Sequence, residues 1–408
     1  MGDTLTRSTD VRPWLSQKLF MGLPPGAYVR SLVTPGNILA ALILAVGVPI
    51  LIYRFVYGLG AVTNLSQTTP WGLWIGFDML AGIALAAGGY TIASAVYIFG
   101  LKEYRPIVRP AVLTGFLGYL FAVIALLADL GQPWRIPYPI VYSAGPTSVM
   151  FEVGWCVFLY TTVLFIEFTP ALFEWLGLRT LRRYAVQLTL SATVFGVVLS
   201  TLHQSSLGAL FLMTPTKLHP LWYSSFIPLY FFISSIAAGL SMVILETALA
   251  HRLFRDQLDP SRHVDIDALI LGLAKAASVV LFTYIFVQLQ GLADGGDWAL
   301  LLTAYGGWYV FEVGGLAAVP CFLFAHAART ASAPLARIAA ALTVLGIILN
   351  RLNVSVVAMN WNASERYVPS WMEIVVSVTI VTMGLLTYRW IVSRMPVLRE
   401  HPDYADAH

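Results

Sequence analysis

Asp78, Glu152 and His203 place two carboxyl groups and an imidazole inside long apolar runs, and Asp129 and Arg351 occupy comparable settings. An ionisable group in such a run costs roughly 2.5–3.5 kcal/mol on insertion scales, so each is a functional candidate by default. The chemistry these residue types offer is proton transfer to an oxygen within hydrogen-bond reach. Asp78 and Glu152 are the expected proton donors, and His203 the expected hydrogen-bonding group. Trp71 and Trp74 precede Asp78 by seven and four residues, a spacing that puts all three on one helix face. Gln204 and Ser205 follow His203 directly. Glu167 and Glu246 lie toward the opposite ends of their runs, and with Glu152, Glu312 and Arg351 they are the candidates for carrying protons further. Each candidate has a plainer alternative. Asp78 or Glu152 can pair with Arg351, Glu246 can pair with Lys275, and Lys275 can instead extend to the interface. Glu167 and Glu246 sit near run ends, where headgroup solvation competes with function.

The elements that must hold these residues follow from composition. The chain has 408 residues, 58% hydrophobic and 11% charged, with a mean hydropathy of +0.76. Soluble domains carry about 25% charged residues, so a soluble globular protein, a disordered chain and a nucleic-acid binder are all excluded. Ten apolar segments approach the roughly 20 residues that a spanning helix needs. They lie near 37–57, 71–99, 111–129, 149–169, 184–203, 222–250, 266–291, 306–326, 335–358 and 371–393. Backbone groups in lipid must be satisfied internally, which makes these segments helices. The expected fold is thus an all-α polytopic membrane protein. Residues 1–36 form an interfacial segment with no cleavable signal, 37–394 the ten-helix domain, and 395–408 a tail.

Eighteen Lys and Arg fall on one side of this arrangement and three (Arg135, Lys217, Arg366) on the other. That asymmetry predicts that both termini are cytoplasmic. Three short sequences recur in order: AAG at 86–88 and 237–239, FEVG at 151–154 and 311–314, and GVVLSTLHQS at 196–205 against GIILNRLNVS at 346–355. The offsets of 151, 160 and 150 residues each span four helices. They imply two parallel four-helix units, about 71–205 and 222–358, flanked by the first and tenth helices. The depth of Glu312 depends on where its helix starts. If 298–305 is a separate interfacial piece, Glu312 matches Glu152, and the repeat favours this.

Two cysteines, Cys156 and Cys321, cannot supply an iron–sulfur cluster or a thiolate metal site. Only His203 and His326 lie near spans, at opposite ends, so no bis-histidine haem is expected. No nucleotide-binding glycine loop opens a soluble domain. Intrinsic haem, iron–sulfur centres and metal are therefore all expected to be absent.

TPWGLWIGFD at 69–78, VRPAVL at 108–113, the FE pair at 151–152, TLHQSSLGAL at 201–210 and KLHPLW at 217–222 resemble the NrfD/PsrC-like integral membrane subunits. The ten-helix branch typified by HybB of nickel–iron hydrogenases is the most similar, and RLNVSVVAMN at 351–360 and VPSWMEIVVS at 368–377 extend the likeness. The resemblance implies a haem-free subunit that exchanges electrons between membrane menaquinone or ubiquinone and a ferredoxin-like, multi-cluster iron–sulfur subunit on the periplasmic face. It implies a catalytic partner such as nickel–iron hydrogenase, or one from sulfur or sulfite metabolism, in the inner membrane of a prokaryote. It places the quinone at Trp71, Trp74, Asp78, His203, Gln204 and Ser205, with Glu152 in proton handling. A secondary transporter and a purely structural anchor are the alternatives from other classes. The charge count carries its own test. A carboxy-terminal alkaline phosphatase fusion is expected to be inactive and a fluorescent-protein fusion bright; an active phosphatase there would reverse the topology.

Overall fold

Among the described residues, ten helices are long and apolar enough to cross a membrane: α1 Pro35–Tyr57, α2 Trp74–Tyr97, α3 Lys102–Asp129, α4 Val149–Leu176, α5 Arg179–Leu212, α6 Ile227–Leu253, α7 Ile266–Gly295, α8 Ala304–Arg329, α9 Ala333–Val357 and α10 Trp371–Arg394. The computed structural model describes residues 11–142, 144–254, 265–363 and 365–399, the first five as backbone only. Expectations for residues 1–10 and 400–408, and for His263, lie outside the described residues. The helices match the expected spans in number and order. They overrun them where polar flanks continue the hydrogen-bonding ladder. α5 has 34 residues because helix continues through Arg179–Arg183 at one end and Gln204–Leu212 at the other.

Local chemistry sets the ends. Thr34 caps α1 by accepting from the Asn37 amide at 3.3 Å, with Pro35 at the first helical position. Asp265 caps α7, and Thr303 caps α8. Gly177 and Gly296 take the left-handed conformation that closes α4 and α7. Residues Asp297–Leu302 form a separate 3-10 turn before α8, as one reading of the sequence required. Two short helices, Val11–Phe20 and Pro25–Ser31, precede α1. Lys18 bonds the Trp175 carbonyl, and Arg394 bonds the Leu19 carbonyl at 3.1 Å. Arg389 of α10 donates to Asn37 of α1 at 2.7 Å. The first span thus starts, and the last ends, on one face, here called the termini face. The opposite one is the distal face.

α2 and α6 form the centre. Their apolar windows are 72% buried, against 11% for α1, which lies outermost on α10. The two AAG motifs explain the central contact. A Cβ at Gly88 would come within 2.7 Å of Val243 Cγ2 and 3.0 Å of the Gly239 carbonyl oxygen, and a Cβ at Gly239 would meet the backbone of Ala87 at 2.7 Å. Lipid supplies no hydrophobic drive between helices, so close backbone approach through small residues must do the holding. Around this pair, α4 lies along α5, α7 along α8 and α8 against α9, and α3 closes on α2, α4 and α10. Gly239→Val is expected to lower the thermal midpoint in detergent sharply, since the added atoms meet backbone and overpacking costs about 1–3 kcal/mol or more. Gly154→Val, at a position where a Cβ meets nothing within 4 Å, is the neutral control.

Candidate functional site

The distal halves of the helices hold most of the buried polar groups, and three turns there depart from regular α-helix. α2 opens with a π-helical stretch, Trp74–Ala81; α8 contains one at Phe311–Ala318, and α9 ends in one at Asn353–Val357. Such wide turns recur at functional sites. They carry Asp78, Glu312 and Asn353. The candidates share this half of the molecule, yet the structure sorts them into three separate clusters.

The first cluster joins α3, α4 and α5. Ser206 Oγ donates to Glu152 at 2.6 Å, and Glu152 is only half-buried. One turn away, His203 is fully buried. Its Nδ1 lies 2.9 Å from the Leu199 carbonyl, which can only accept, so Nδ1 carries a hydrogen. Nε2 is engaged by the Tyr119 hydroxyl. Gln204 Nε2 donates to Tyr119 Oη at 3.3 Å and to the Ile83 carbonyl at 3.2 Å. Tyr119 also sets its ring edge-on to Tyr160, with centroids 4.7 Å apart. Both ring nitrogens of His203 are thus bonded within the protein, and its side-chain link to the rest of the cluster runs through Tyr119. Ser205 is half-buried on the same helix.

The second cluster lies between α2 and α10. Ser377 Oγ donates to Asp78 at 2.5 Å, and Trp74 Nε1 donates to the Glu373 carbonyl at 3.0 Å. Trp74 and Asp78 therefore share a face, as their spacing predicts, and it meets residues spaced four apart on α10. Trp71 does not share that face. It precedes the helix, so helical spacing does not apply to it, and it packs edge-on against Phe211 of α5 at 5.5 Å. Glu373 is 1% exposed and accepts from the Asn64 amide at 2.9 Å, the Ser370 amide at 3.1 Å and the Tyr367 hydroxyl. Burial first, then Glu373, pushes the Tyr367 phenol far above its ordinary range, so it remains a donor. Arg54 of α1 caps the end of α3 through the Ala128 and Leu130 carbonyls. Asp129 lies beside it, with Oδ1 buried and lacking a hydrogen-bond partner.

The third cluster belongs to α6, α8 and α9. Glu312 is 3% exposed and accepts from Trp222 Nε1 at 2.9 Å, Asn350 Nδ2 at 2.6 Å and Asn353 Nδ2. Asn350 Oδ1 in turn accepts from Arg351 Nη1 at 2.7 Å. Arg351 also donates to Ser234 Oγ at 2.8 Å and lies over the Phe231 ring at 3.7 Å. The expected pairing of Arg351 with Asp78 or Glu152 does not occur: its polar partners are Asn350, Ser234 and the Phe231 carbonyl, because α9 turns this residue toward α6. Glu312 lies about 12 Å into α8 while Glu152 lies about 4.5 Å into α4, at 1.5 Å per residue. The repeated FEVG therefore does not give the two acids one environment. Above this cluster His219 is 4% exposed, packed against Tyr305, Trp361 and Trp222 with ring centroids 4.7, 5.0 and 5.5 Å away. Burial lowers its proton affinity, with Asp297 opposing.

Toward the termini face, Thr193 donates to Glu167 at 2.6 Å, and Thr114 and Tyr388 each donate to Glu246 at 2.7 Å. Glu246 therefore does not pair with Lys275, which is exposed on the bundle surface. Glu174, which sequence reasoning missed, binds Arg109 at 2.8 Å and Arg182 at 2.9 Å. Also missed were Tyr119, Tyr160, Trp222, Asn350, Asn353 and Glu373. The available signal was asparagine and tyrosine inside apolar runs: Asn350 and Asn353 flank Arg351, and Tyr160 follows Glu152 by eight residues, but apolar-run scanning counts such residues as neutral. Among the described residues, no group of three His, Cys, Asp or Glu is arranged to hold a metal.

Residues 61–361 match the family model described as "Polysulphide reductase, NrfD". A protein of Nitratidesulfovibrio vulgaris is 55% identical over 93% of this chain and 98% of its own length. The probable Ni/Fe-hydrogenase 2 b-type cytochrome subunit of Escherichia coli is 32% identical over 86% of this chain and 88% of its own. The integral membrane subunit of a menaquinone reductase from Nitratidesulfovibrio vulgaris is 29% identical over 85% and 87%.

The contrast between the two FEVG acids has a measurable consequence. Glu312→Ala strands three buried donors and is expected to cost about 3–5 kcal/mol, on the scale of a broken buried charge network. Glu152→Ala loses one serine bond and should cost about 1 kcal/mol. Thermal unfolding followed by tryptophan fluorescence orders the two.

Proposed function

This chain belongs to the NrfD family, and from that membership we propose that it is the quinone-reactive membrane subunit of a respiratory redox complex. The observation that carries this reading is the distal end of the first four-helix unit. There a half-buried carboxyl, Glu152, bonds Ser206 one turn along α5 from His203, which is tied to Tyr119, and Trp71 packs on Phe211 further along the same helix. Reducing a quinone takes two electrons and two protons. The electrons come from an iron–sulfur subunit docked on the distal face, where Trp134, Tyr142, Leu302 and Trp371 are 68%, 76%, 93% and 62% exposed. The protons reach the quinone oxygens through Glu152, resupplied from the termini side by Glu167 and Glu246. The menaquinone reductase relative supports quinone as the substrate, and the hydrogenase relative supports hydrogenase as the catalytic partner; the proposed setting is the inner membrane of a prokaryote.

The hydrogenase relative's name includes a b-type cytochrome, but the residues here do not fit haem. Both ring nitrogens of His203 are already bonded, and His326 sits in the last turn of α8 at the other face. Trp74 and Asp78 support the quinone pocket from behind, through α10, while Trp71 lines it.

Adding a quinone analogue to the purified protein is expected to quench tryptophan fluorescence saturably, with a smaller amplitude in Trp71→Leu. Glu152→Gln should retain binding while quinone reduction by the complex falls on the order of 10²-fold and its pH profile flattens. An unchanged rate and pH profile would remove Glu152 from the proton path. No saturable quenching in the complex would sink the quinone reading.

A further inference from the structure

Between Glu152 and Glu167 of α4 the polar path has a gap. Glu152 bonds Ser206, and Glu167 bonds Thr193, each at 2.6 Å across the α4–α5 interface. The two acids are 15 residues apart, about 22 Å along the helix. Midway lie three buried polar atoms with no hydrogen-bond partner: Tyr160 Oη, Ser200 Oγ and Gln204 Oε1. All three residues are 0% exposed. Ser200 and Gln204 are one turn apart on α5. A Cβ at Gly196, one turn before Ser200, would touch the Tyr160 ring at 3.3 Å, so Tyr160 packs along this same face. Ser200 Oγ neighbours the Tyr90, Tyr119 and Tyr160 hydroxyls without reaching bonding geometry. The Gln204 amide orientation is fixed, because its nitrogen donates to the Ile83 carbonyl.

Three orphan atoms around the Tyr119 hydroxyl, which both Ser200 and the Gln204 amide neighbour, would each cost about 1–3 kcal/mol if left unbonded. A buried water typically makes about three hydrogen bonds to groups of this kind. We propose that Tyr160, Ser200 and Gln204 form a binding site for structural water, which lies between the Glu152–Ser206 and Glu167–Thr193 bridges as one stage of a hydrogen-bonded path. A cation is the wrong occupant, since the three ligand atoms are neutral and a bare charge there would be costly. The second unit shows what fills the equivalent place when water does not. In the aligned repeat Ser200 corresponds to Asn350. The longer amide of Asn350 reaches Glu312 and Arg351 directly, at 2.6 and 2.7 Å. The shorter serine hydroxyl reaches nothing.

The role in proton supply rests on the quinone reading above; the water site does not. A map of the whole complex at a resolution that shows ordered water is expected to carry density bridging Tyr160 Oη, Ser200 Oγ and Gln204 Oε1. In Ser200→Asn that density should vanish as the amide takes its place. Wild-type density absent, with the three groups bonded to protein instead, would overturn the site. With density present, quinone reduction in Ser200→Asn is expected to fall on the order of 10²-fold while analogue binding holds. An unchanged rate alongside normal binding would overturn the path and leave the water structural. Failure of analogue binding in wild type would instead strike the quinone reading.

Discussion

The crossing of α2 and α6 at Gly88 and Gly239 is the contact on which the rest of the bundle depends. Nothing in lipid pushes these helices together, so their backbones must come close enough for dispersion and short polar contacts to hold them. Both helices are thereby committed to the centre, and each of the other spans packs on them or on their neighbours. The crossing also sets the rotation of α2. With one face on α6, α2 presents Trp74 and Asp78 to α10 and leaves Ile83 for Gln204 of α5.

A second constraint follows from the first. Helices held this closely bury polar side chains that have no water to bond, so each must find a partner within the protein. The surroundings of the two FEVG acids meet this demand differently. In the unit containing Glu312, every oxygen of the acid is saturated by indole and amide donors, and Asn350 links it to Arg351. That arrangement suits a fixed charge pair. In the unit containing Glu152, the acid holds one serine, the histidine is tied to a tyrosine, and three polar atoms nearby are unpartnered. That arrangement suits groups that exchange protons. The same FEVG motif thus sits in a fully bonded network at Glu312 and in a sparsely bonded one at Glu152.

Depth was the quantity most legible in the residues. The span limits read from the sequence put Asp78, Asp129, Glu152, His203 and Arg351 toward the same end of the bundle, and the structure places them in the distal half. Their partners were not legible. Arg351 looked like the natural counter-ion for Asp78 or Glu152, yet it bonds an asparagine one residue away and a serine on α6. Trp71 looked like a neighbour of Trp74 by spacing, yet the helix begins after it. Glu246 and Lys275 looked like a pair, yet Thr114 and Tyr388 take the acid. His219 lies between two spans in the sequence, and the loop that carries it folds inward over α8 and α9.

The sequence by itself determined the number and order of the spans, the start of the first and the end of the last on one face, and the family. Each of these depends on composition along one helix: apolar length and an even count of crossings. Only the tertiary structure decided which polar group meets which. That depends on the rotation of each helix about its own axis, which packing sets against several neighbours at once. The π-helical turns at Asp78, Glu312 and Asn353 add to this, since each shifts the phase of the residues beyond it away from regular helical spacing. A one-dimensional pattern holds depth along the membrane normal; it does not hold azimuth, and azimuth is what assembles a site.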